Sequence, residues 1–393
     1  MQHLRILIIS NLFPPQVVGG YERAIADYAR RLHERGHEIL VLTADVRDLP
    51  TAYDDSKSDP KPFPVRRCLQ LFGEYVDGGI AFLHPEVAAS VGMHNYTVLS
   101  DQIPGFAPDV CLCGCLDFLG VGIPKQLLGA GVPVAHFVMN NVTGYPFSLS
   151  PREEFYQYIT VSDWIKSTLS DGGYPTHSAI TIYPGADTEF FTPSRPRELL
   201  TDKLSILYAG LVMPHKGTDV LIDALSLLHQ EGIDFTATIA GGSLNTNYVA
   251  QLKSFVQEQG MTDQVKFTGL LGKAALRDLY RTHNVYVLPS RFDEPFSIGL
   301  IEAMAAGLTC IASHVGGSPE AITDQENGLI FTSENALELA DGLASLPLQP
   351  ELWQTMALAG QQKAVTQFSR QRTIEQIEAV LWNLYQRKKL ATA

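Results

Sequence analysis

Two glutamates, Glu294 and Glu302, stand where carboxylates could bind the hydroxyl groups of a ligand. They lie eight positions apart in the segment LPSRFDEPFSIGLIEAMAAG. The apolar run that ends at Leu288 is typical of a strand and the run from about Ile298 of a helix, so Glu294 falls on the connecting loop and Glu302 on the helix. Carboxylates are good acceptors for sugar hydroxyls. Taken alone, two glutamates at this spacing more often represent a helix cap and a solvated helix residue.

The predicted helix start between these glutamates suits a phosphate group. The backbone amides of Phe296, Ser297, Ile298 and Gly299 would be unpaired donors at a helix N-terminus, where the helix dipole favours negative charge. Lys216, in the tripeptide HKG, precedes another predicted helix. A fixed cation there would stabilise the charge that develops when a diphosphate leaves, although a lone lysine before a helix is usually only solvated. These groups predict a diphosphate site.

Two glycine pairs follow predicted strands and would let a ligand approach the backbone closely. Gly19 and Gly20 lie between a loop and a predicted helix, and Gly241 and Gly242 follow the strand Phe235–Ala240. A glycine pair by itself is more often only a turn. For Gly241 and Gly242, a structural role and a ligand-binding role are equally expected.

No metal ion or other cofactor is expected from the sequence. The chain contains no Asp-any-Asp triplet, and its cysteines Cys111, Cys113 and Cys115 alternate through the apolar run VCLCGCLDFLG. Alternate residues of one strand supply tetrahedral metal ligands poorly, so small buried side chains are the better interpretation. The five cysteines form no disulfide pattern, which favours a reducing compartment.

Length and charge limit the class of protein. A chain of 393 residues is long enough for two domains, and a formal net charge of -13 argues against nucleic acid as the main partner. The opening MQHLRILIIS lacks the features of a signal peptide, and no apolar run is long enough to span a bilayer. The expected location is the cytoplasm. Arg30, Arg31 and Arg35 could make a weak contact with an anionic membrane, but a solvated helix face is favoured.

Short β-branched runs alternate with amphipathic segments, which predicts parallel sheets with crossover helices in two α/β domains. The second series of strands starts at Leu204–Ala209, and Thr192–Asp202 reads as the linker. We expect residues 1–195 to form the first domain, residues 196–370 the second domain, and residues 371–393 a helix long enough to cross back to the first. Ligands of such sheets bind outside the carboxyl ends of the strands.

Several segments together carry a resemblance to a known family. They are the opening RILIISNLFPPQVVGGYERAIADYARRLHERGHEILVLT, SILYAGLVMPHKGTDVLIDAL, VKFTG, the glutamate segment, and VGGSPEAI followed by NGLIF. These segments resemble the retaining family 4 glycosyltransferases, which have the GT-B fold of two Rossmann-like, doubly wound domains facing across a cleft. The resemblance implies that residues 1–195 form the acceptor-side domain and that residues 196–370 form the nucleotide-sugar-binding domain. It is weakest between about Val46 and Val132.

The resemblance implies roles for the candidate residues. Glu302 would accept hydrogen bonds from the donor ribose, Glu294 would contact hydroxyls of the transferred sugar, and Lys216 would face the diphosphate. Gly19 and Gly20 would be the contribution of the first domain to that diphosphate site. The implied reaction is metal-independent transfer of a hexosyl group from a UDP or GDP sugar to a glycan or lipid-linked acceptor, in which the leaving phosphate helps to deprotonate the acceptor.

The sequence departs from the family pattern at two positions. Leu211 stands where relatives commonly carry an arginine, and Met139, followed by Asn140, stands where they carry a histidine. His136 would substitute for that histidine only with a shift of register. These departures keep open the alternative of a nucleotide-sugar-binding protein without turnover. A GT-B-like sugar-nucleotide epimerase or hydrolase, which could share the donor cleft without an acceptor, is another alternative.

Overall fold

The computed structural model describes residues 3–17, 19–46, 62–76, 79–194, 203–243 and 245–392. It divides into two compact units, Met1–Tyr183 with Thr373–Ala393, and Pro184–Arg372. Most of the polar stretch from Val46 to Val65 and of the predicted linker Thr192–Asp202 falls outside the described residues.

The first unit is built on a parallel sheet with helices in its crossovers. Its elements are β1 (Arg5–Ile9), α1 (Gly20–Glu34), β2 (Glu38–Ala44), β3 (Val65–Leu69), β4 (Gly73–Val76), β5 (Gly79–Phe82), α2 (Pro85–Phe106), β6 (Val110–Cys113), α3 (Gly122–Gly129), β7 (Val134–Val138), β8 (Tyr156–Thr160), α4 (Asp163–Asp171) and β9 (Ile180–Thr181). The order in the described sheet is β3-β2-β1-β6-β7-β8-β9, and β4 pairs with β5 in a separate antiparallel hairpin.

The chain returns to the first unit at its C-terminus. The last described helix, Arg370–Thr392, packs its residues from Thr373 onward in this unit. Glu378 accepts hydrogen bonds from Arg35 and lies 2.8 Å from Nε2 of the buried His37. Arg387 bonds the backbone oxygen of Glu154. These contacts join the end of the chain to α1 and to the segment before β8.

The second unit repeats the same plan. Its elements are α5 (Thr188–Phe191), β10 (Leu204–Ala209), α6 (Thr218–Gln230), β11 (Phe235–Ala240), α7 (Thr246–Glu258), β12 (Val265–Gly269), α8 (Lys273–Thr282), β13 (Val285–Leu288), α9 (Ile298–Ala305), β14 (Thr309–Ser313), α10 (Ser318–Ala321), β15 (Leu329–Phe331), α11 (Ala336–Leu348) and α12 (Pro350–Gln367), with α13 (Arg370–Thr392) following. The strand order is β12-β11-β10-β13-β14-β15, with every pair parallel.

The predicted strands follow from continuous apolar runs, because a parallel sheet is covered by helices on both faces. The bounds of β10 and β11 are those that the sequence predicts, and β13 ends at Leu288 as predicted and is buried throughout. In α6 the apolar positions from Val220 to Leu228 pack into the core of the second unit. The expectation of two Rossmann-like α/β units is therefore confirmed.

Candidate functional site

In the second unit, the strand order reverses between β10 and β13. From β10 the chain continues to β11 and β12 on one side, whereas β13, β14 and β15 extend the sheet on the other. The loops that leave the carboxyl ends of these two neighbouring strands diverge, and ligands of open α/β sheets bind in the crevice between such loops. Lys216 lies on the loop after β10 and Glu294 on the loop after β13. The structure therefore brings the two predicted catalytic residues to one switch point.

Lys216 and Glu294 form an ion pair at this point. Nζ of Lys216 lies 2.5 Å from Oε2 of Glu294, and the side chains are 20% and 13% exposed. The two loops are in direct backbone contact behind the pair, because a Cβ atom on Gly217 would lie 1.8 Å from the backbone oxygen of Pro289. Gly217 also has φ +67°, a left-handed conformation that favours glycine. The glycine of HKG is thus required to place Lys216 against Glu294.

A third loop fixes the backbone of Glu294. Gly317 donates its amide hydrogen to the backbone oxygen of Glu294 at 2.8 Å. Gly316 has φ +55°, and a Cβ atom there would lie 2.1 Å from that same oxygen. The two glycines of VGGSPEAI, which follow β14, therefore hold the glutamate from below, and a side chain at position 316 would displace it.

The helix after Glu294 begins as predicted, with α9 starting at Ile298. Ser297 is its N-cap and accepts a hydrogen bond from the amide of Leu300 at 3.3 Å. Within the described residues, the structure shows no intramolecular partner for the amides of Ile298 and Gly299. Phe296 is buried under this turn, with its ring 5.3 Å from the ring of Phe368. The start of α9 thus supplies two donors suited to an anion.

Glu302 lies one turn further along α9 and is half-buried. Beside it, the hydroxyl of the fully buried Tyr280 bonds the backbone oxygen of Gly299. Burial, followed by the charge of Glu302, raises the pKa of Tyr280 well above its ordinary value. The half-buried Glu302 therefore lies close to the buried Tyr280, which argues against the interpretation of Glu302 as a merely solvated helix residue. Its assignment to a ribose stays a prediction.

The second glycine pair has a reason within the chain itself. A Cβ atom on Gly241, which has φ +158°, would lie 1.7 Å from the backbone oxygen of Gly210. Gly242 accepts a hydrogen bond from the amide of Val212 at 2.9 Å. Gly241 therefore lets the loop after β11 support the loop that carries Leu211. A role for either glycine in ligand binding remains a prediction.

The first unit has its own switch point, between β1 and β6. The predicted glycines Gly19 and Gly20 lie at the start of α1, on the β1 side. The amide of Gly19 donates to Oε2 of the buried Glu22 at 2.9 Å. Gly19 has an extended backbone (φ −142°), and a Cβ atom there would approach only that oxygen, at 3.8 Å. Among the described residues, no close contact requires a glycine at position 19. The role of Gly19 in ligand binding stays a prediction.

The histidine that the sequence leaves in question is structural. His136 lies inside β7, is 1% exposed, and is hydrogen-bonded to the hydroxyl of Tyr156 at 2.7 Å and to that of Tyr145 at 3.1 Å. Burial lowers the pKa of His136 to about 3, so the imidazole is neutral at physiological pH. Met139 is also buried. Neither residue presents a titratable group at the end of β7.

Sequence reasoning missed Asp117 and Asn140, which lie after β6 and β7. The side-chain amide of Asn140 donates to Oδ2 of Asp117. Burial raises the pKa of Asp117 to about 6, the hydrogen bond from Asn140 opposes that rise, and the charge of Glu22 adds to it. Gly144 (φ +83°) packs the Asn140 loop onto the backbone oxygen of Leu116. The signal available in the sequence was a polar side chain shortly after each of two apolar strands, Asp117 after β6 and Asn140 after β7.

Arg291 and His215 are the two residues that could replace the arginine that is missing at position 211. Arg291 forms a bidentate pair with Asp219, at 2.6 and 2.8 Å, and bonds Glu334 at 2.6 Å. Burial and the charge of Lys216 lower the pKa of His215. The backbone oxygen of Leu211 accepts a hydrogen bond from the buried Tyr208 at 2.5 Å, which fixes the turn. Neither Arg291 nor His215 therefore replaces the missing arginine.

The remaining sequence expectations concern surfaces and metals. Arg30 and Arg31 pair with Asp27, and Arg35 pairs with Glu378, as a solvated helix face would. Cys111, Cys113 and Cys115 are buried, and each is a free thiol. In the part of the chain that the structure describes, no group of three metal-ligating side chains occurs. The helices in that same part include none with the length and apolarity of a bilayer span.

Comparison with known proteins shows which families and folds this chain resembles. Residues 191–363 match the model of a family described as Glycosyl transferases group 1. A GDP-mannose-dependent alpha-(1-6)-phosphatidylinositol monomannoside mannosyltransferase of Mycobacterium tuberculosis is 24% identical over 385 residues, which cover 93% of this chain and 94% of the relative. The match with that relative therefore extends through both units.

Two solved structures share the fold of this chain. A glycosyltransferase from Rickettsia africae superposes with a TM-score of 0.77 at 17% identity, covering 96% of this chain and 98% of its own. HepE from Anabaena, in complex with UDP, gives a TM-score of 0.75 at 19% identity, with coverages of 96% and 99%. The expected GT-B fold class is confirmed, while the predicted cleft between the units stays a prediction.

Proposed function

We propose that the chain is a retaining, metal-independent glycosyltransferase of family 4, because residues 191–363 match the model of the glycosyl transferases group 1. It transfers a hexosyl group from a nucleoside-diphosphate sugar to a glycan or lipid-linked acceptor. The observation that carries the proposal is the Lys216–Glu294 ion pair at the β10/β13 switch point, beside the free amides of α9.

The donor diphosphate binds by exchange with this ion pair. Glu294 lies 2.5 Å from Lys216 and offsets its charge. A diphosphate competes with Glu294 for the ammonium group, because it carries more negative charge than a single carboxylate and accepts charge-assisted hydrogen bonds from the lysine. The displaced Glu294 is then available to accept hydrogen bonds from hydroxyls of the transferred sugar. Glu302, in α9, binds the ribose.

Transfer breaks the bond between the anomeric carbon and the β-phosphate oxygen, and forms a bond between that carbon and an acceptor hydroxyl oxygen. The acceptor attacks from the face that the leaving group departs, so the configuration is retained. The acceptor proton goes to the leaving phosphate oxygen. Lys216 and the amides of Ile298 and Gly299 stabilise the negative charge on the departing diphosphate, which is the electrostatic work that a metal ion does in other transferases.

The acceptor binds to the first unit. The relative from Mycobacterium tuberculosis has a name that specifies GDP-mannose and a phosphatidylinositol monomannoside, and HepE was solved with UDP. These two nucleotides define the donors to try first. In the first unit, Asp117 and Asn140 at the ends of β6 and β7 are candidates to orient an acceptor hydroxyl.

A ligand screen tests the donor assignment. A nucleotide that binds only the folded protein must raise its melting temperature, so UDP, GDP, ADP and their sugars are compared at equal concentration in excess chelator. One nucleoside diphosphate and its sugars should raise the melting temperature above the other two. Equal, negligible shifts with all three nucleotides would remove the proposal.

Two other functions are tested by incubating that donor alone. An epimerase returns an isomeric sugar nucleotide, and a hydrolase releases free sugar as fast as any acceptor is glycosylated. A binding protein without turnover is favoured specifically by Leu211 and by the buried Met139. It would bind the donor tightly and leave it unchanged with every acceptor tried.

A further inference from the structure

Arg291 connects three segments around the Lys216 loop. Its guanidinium group binds both carboxylate oxygens of Asp219, at 2.6 and 2.8 Å, in the first turn of α6. Its Nε bonds Glu334, just after β15, at 2.6 Å. Its Nη1 also donates to the backbone oxygen of Pro214 at 2.9 Å. The planar fork of an arginine side chain is suited to such simultaneous bonds.

The backbone of Arg291 holds the same loop from a second direction. The amides of Arg291 and Phe292 both donate to the backbone oxygen of His215, at 3.0 and 3.1 Å. The two residues immediately before Lys216 therefore each have their carbonyl group bound by the 290–292 segment. Lys216 itself closes a short turn, since its amide donates to Met213 at 2.9 Å.

The charge of Arg291 is matched by its neighbours. Although burial opposes ionisation of Asp219, hydrogen bonds from Arg291 and Tyr248 hold the pKa of that carboxyl below its usual range. Tyr248 donates to Oδ1 of Asp219 at 2.8 Å and accepts from the Asp219 amide at 3.1 Å. With the carboxylates of Asp219 and Glu334 in direct contact with its guanidinium group, Arg291 adds little positive field at the switch point. Its contribution is geometric.

We propose that Arg291 is a positioning residue that acts through Lys216, holding the 214–217 turn where the ammonium group meets the diphosphate of the donor. This inference rests on the proposed function for the role of Lys216. A preorganised charge loses much of its value when it is misplaced, and a displacement of about 1 Å can lower a rate by about 10²-fold. Asp219 is the partner that orients Arg291.

A double-mutant cycle separates positioning through Lys216 from a general structural role. Arg291→Ala should lower kcat by roughly 10- to 100-fold, with a change in the donor KM of less than about 3-fold. In the Lys216→Ala background the same substitution should lower kcat by less than about 2-fold, because the group that it positions is gone. Arg281→Ala is the matched control, since Arg281 makes an exposed ion pair with Asp278 on α8. Independent, multiplicative losses would overturn the proposal.

Two additional measurements keep the test decisive. Arg291→Lys keeps the charge without the fork and should recover little activity, whereas full activity of this variant would contradict the geometric role. If Arg291→Ala does not fold, Asp219→Asn takes its place in the cycle, with the same expected coupling to Lys216.

Amide hydrogen exchange of Lys216 and Gly217 needs no substrate. It should be faster by at least about 10-fold in Arg291→Ala and unchanged in Arg281→Ala. Faster exchange in a protein that turns over no donor would leave the positioning role intact and refute the proposed function. Unchanged exchange, or an active protein with additive mutational losses, would refute the positioning role alone.

Discussion

Nζ of Lys216 lies 2.5 Å from Oε2 of Glu294, although the two residues are 78 positions apart in the sequence. Each follows a strand at the point where the strand order of its sheet reverses. Gly217 permits the close approach of the two loops, and Gly316 and Gly317 hold Glu294 from the other side. The fold therefore places an ammonium group and a carboxylate together at this switch point, where the proposed diphosphate site lies.

Removal of the Lys216 ammonium group should lower the transfer rate more than it lowers the stability of the fold. Lys216→Ala is expected to lower the transfer rate by about 2.7–4 kcal/mol in transition-state free energy, or roughly 10²- to 10³-fold, as for loss of one preorganised charge-stabilising group. Lys203→Ala is the control, because Lys203 forms an exposed ion pair with Asp234 at the opposite end of β10. Steady-state kinetics measure the loss. An unaltered rate in Lys216→Ala would exclude this residue from the mechanism.

The two glutamates should differ in which kinetic constant they change. Glu302→Ala is expected to weaken donor binding, because its carboxylate is assigned to the ribose. Glu294→Ala should mainly lower kcat, because its carboxylate is assigned to the reacting sugar, and comparison of kcat with kcat/KM separates the two effects. The exposed Glu231, at the end of α6, serves as a control through Glu231→Ala. Full activity of both variants would show that the site lies elsewhere.

An arginine at position 211 is expected to add a second positive charge beside the proposed diphosphate site. Arg291 is bound to Asp219, and the pKa of His215 is lowered by burial and by Lys216, so neither supplies that charge. Leu211→Arg should therefore tighten binding of the nucleoside diphosphate by about 1–3 kcal/mol if the new charge-assisted hydrogen bonds form well. Added salt should reduce the gain if the contact is partly exposed. Leu211→Gln, of similar length without charge, is the calorimetric control, and equal or weaker binding by Leu211→Arg would reject the idea.

Asp117 should reduce stability at neutral pH. Its folded-state pKa is about 6, above the ordinary value of 3.8. Between these values the folded protein holds a proton that the unfolded chain has lost, so stability falls as pH rises from about 4 to 6. Asp117→Asn removes this penalty and should raise the melting temperature more at pH 7.5 than at pH 4.5. The control is Asp101→Asn, because Asp101 is exposed. Asp109→Asn is not a suitable control, because Asp109 accepts a hydrogen bond from the backbone amide of Arg5. An equal shift at both pH values would contradict the burial of Asp117.

The sequence was informative where one rule decides the structure. Strands β10, β11, β13 and β15 follow from apolar runs that a doubly covered sheet requires, and the start of α9 follows from the Pro-containing loop before Ile298. The candidate residues of the second unit all lie in short motifs next to predicted strands and helices. Their positions on the connecting loops could therefore be predicted from the order of the elements along the chain.

Contacts between distant segments were not predictable in this way. The hairpin of β4 and β5 and the helix α2 lie in the stretch where the resemblance to known families was weakest. Pairing of Asp117 with Asn140 depends on how the loop after β7 folds back onto Leu116, and the clamp from Arg291 to Pro214 joins residues 77 positions apart. Such pairings are set by tertiary packing and leave no periodic signal in the sequence.

The configuration of the transferred sugar is the decisive measurement for a retaining, metal-independent transferase. The donor that the ligand screen identifies is incubated with the protein and octyl glycosides in excess chelator, and the anomeric proton of the product is followed by nuclear magnetic resonance. We expect transfer without added metal and a product that keeps the anomeric configuration of the donor. An inverted product, or transfer that begins only after magnesium is added, would overturn the proposed function.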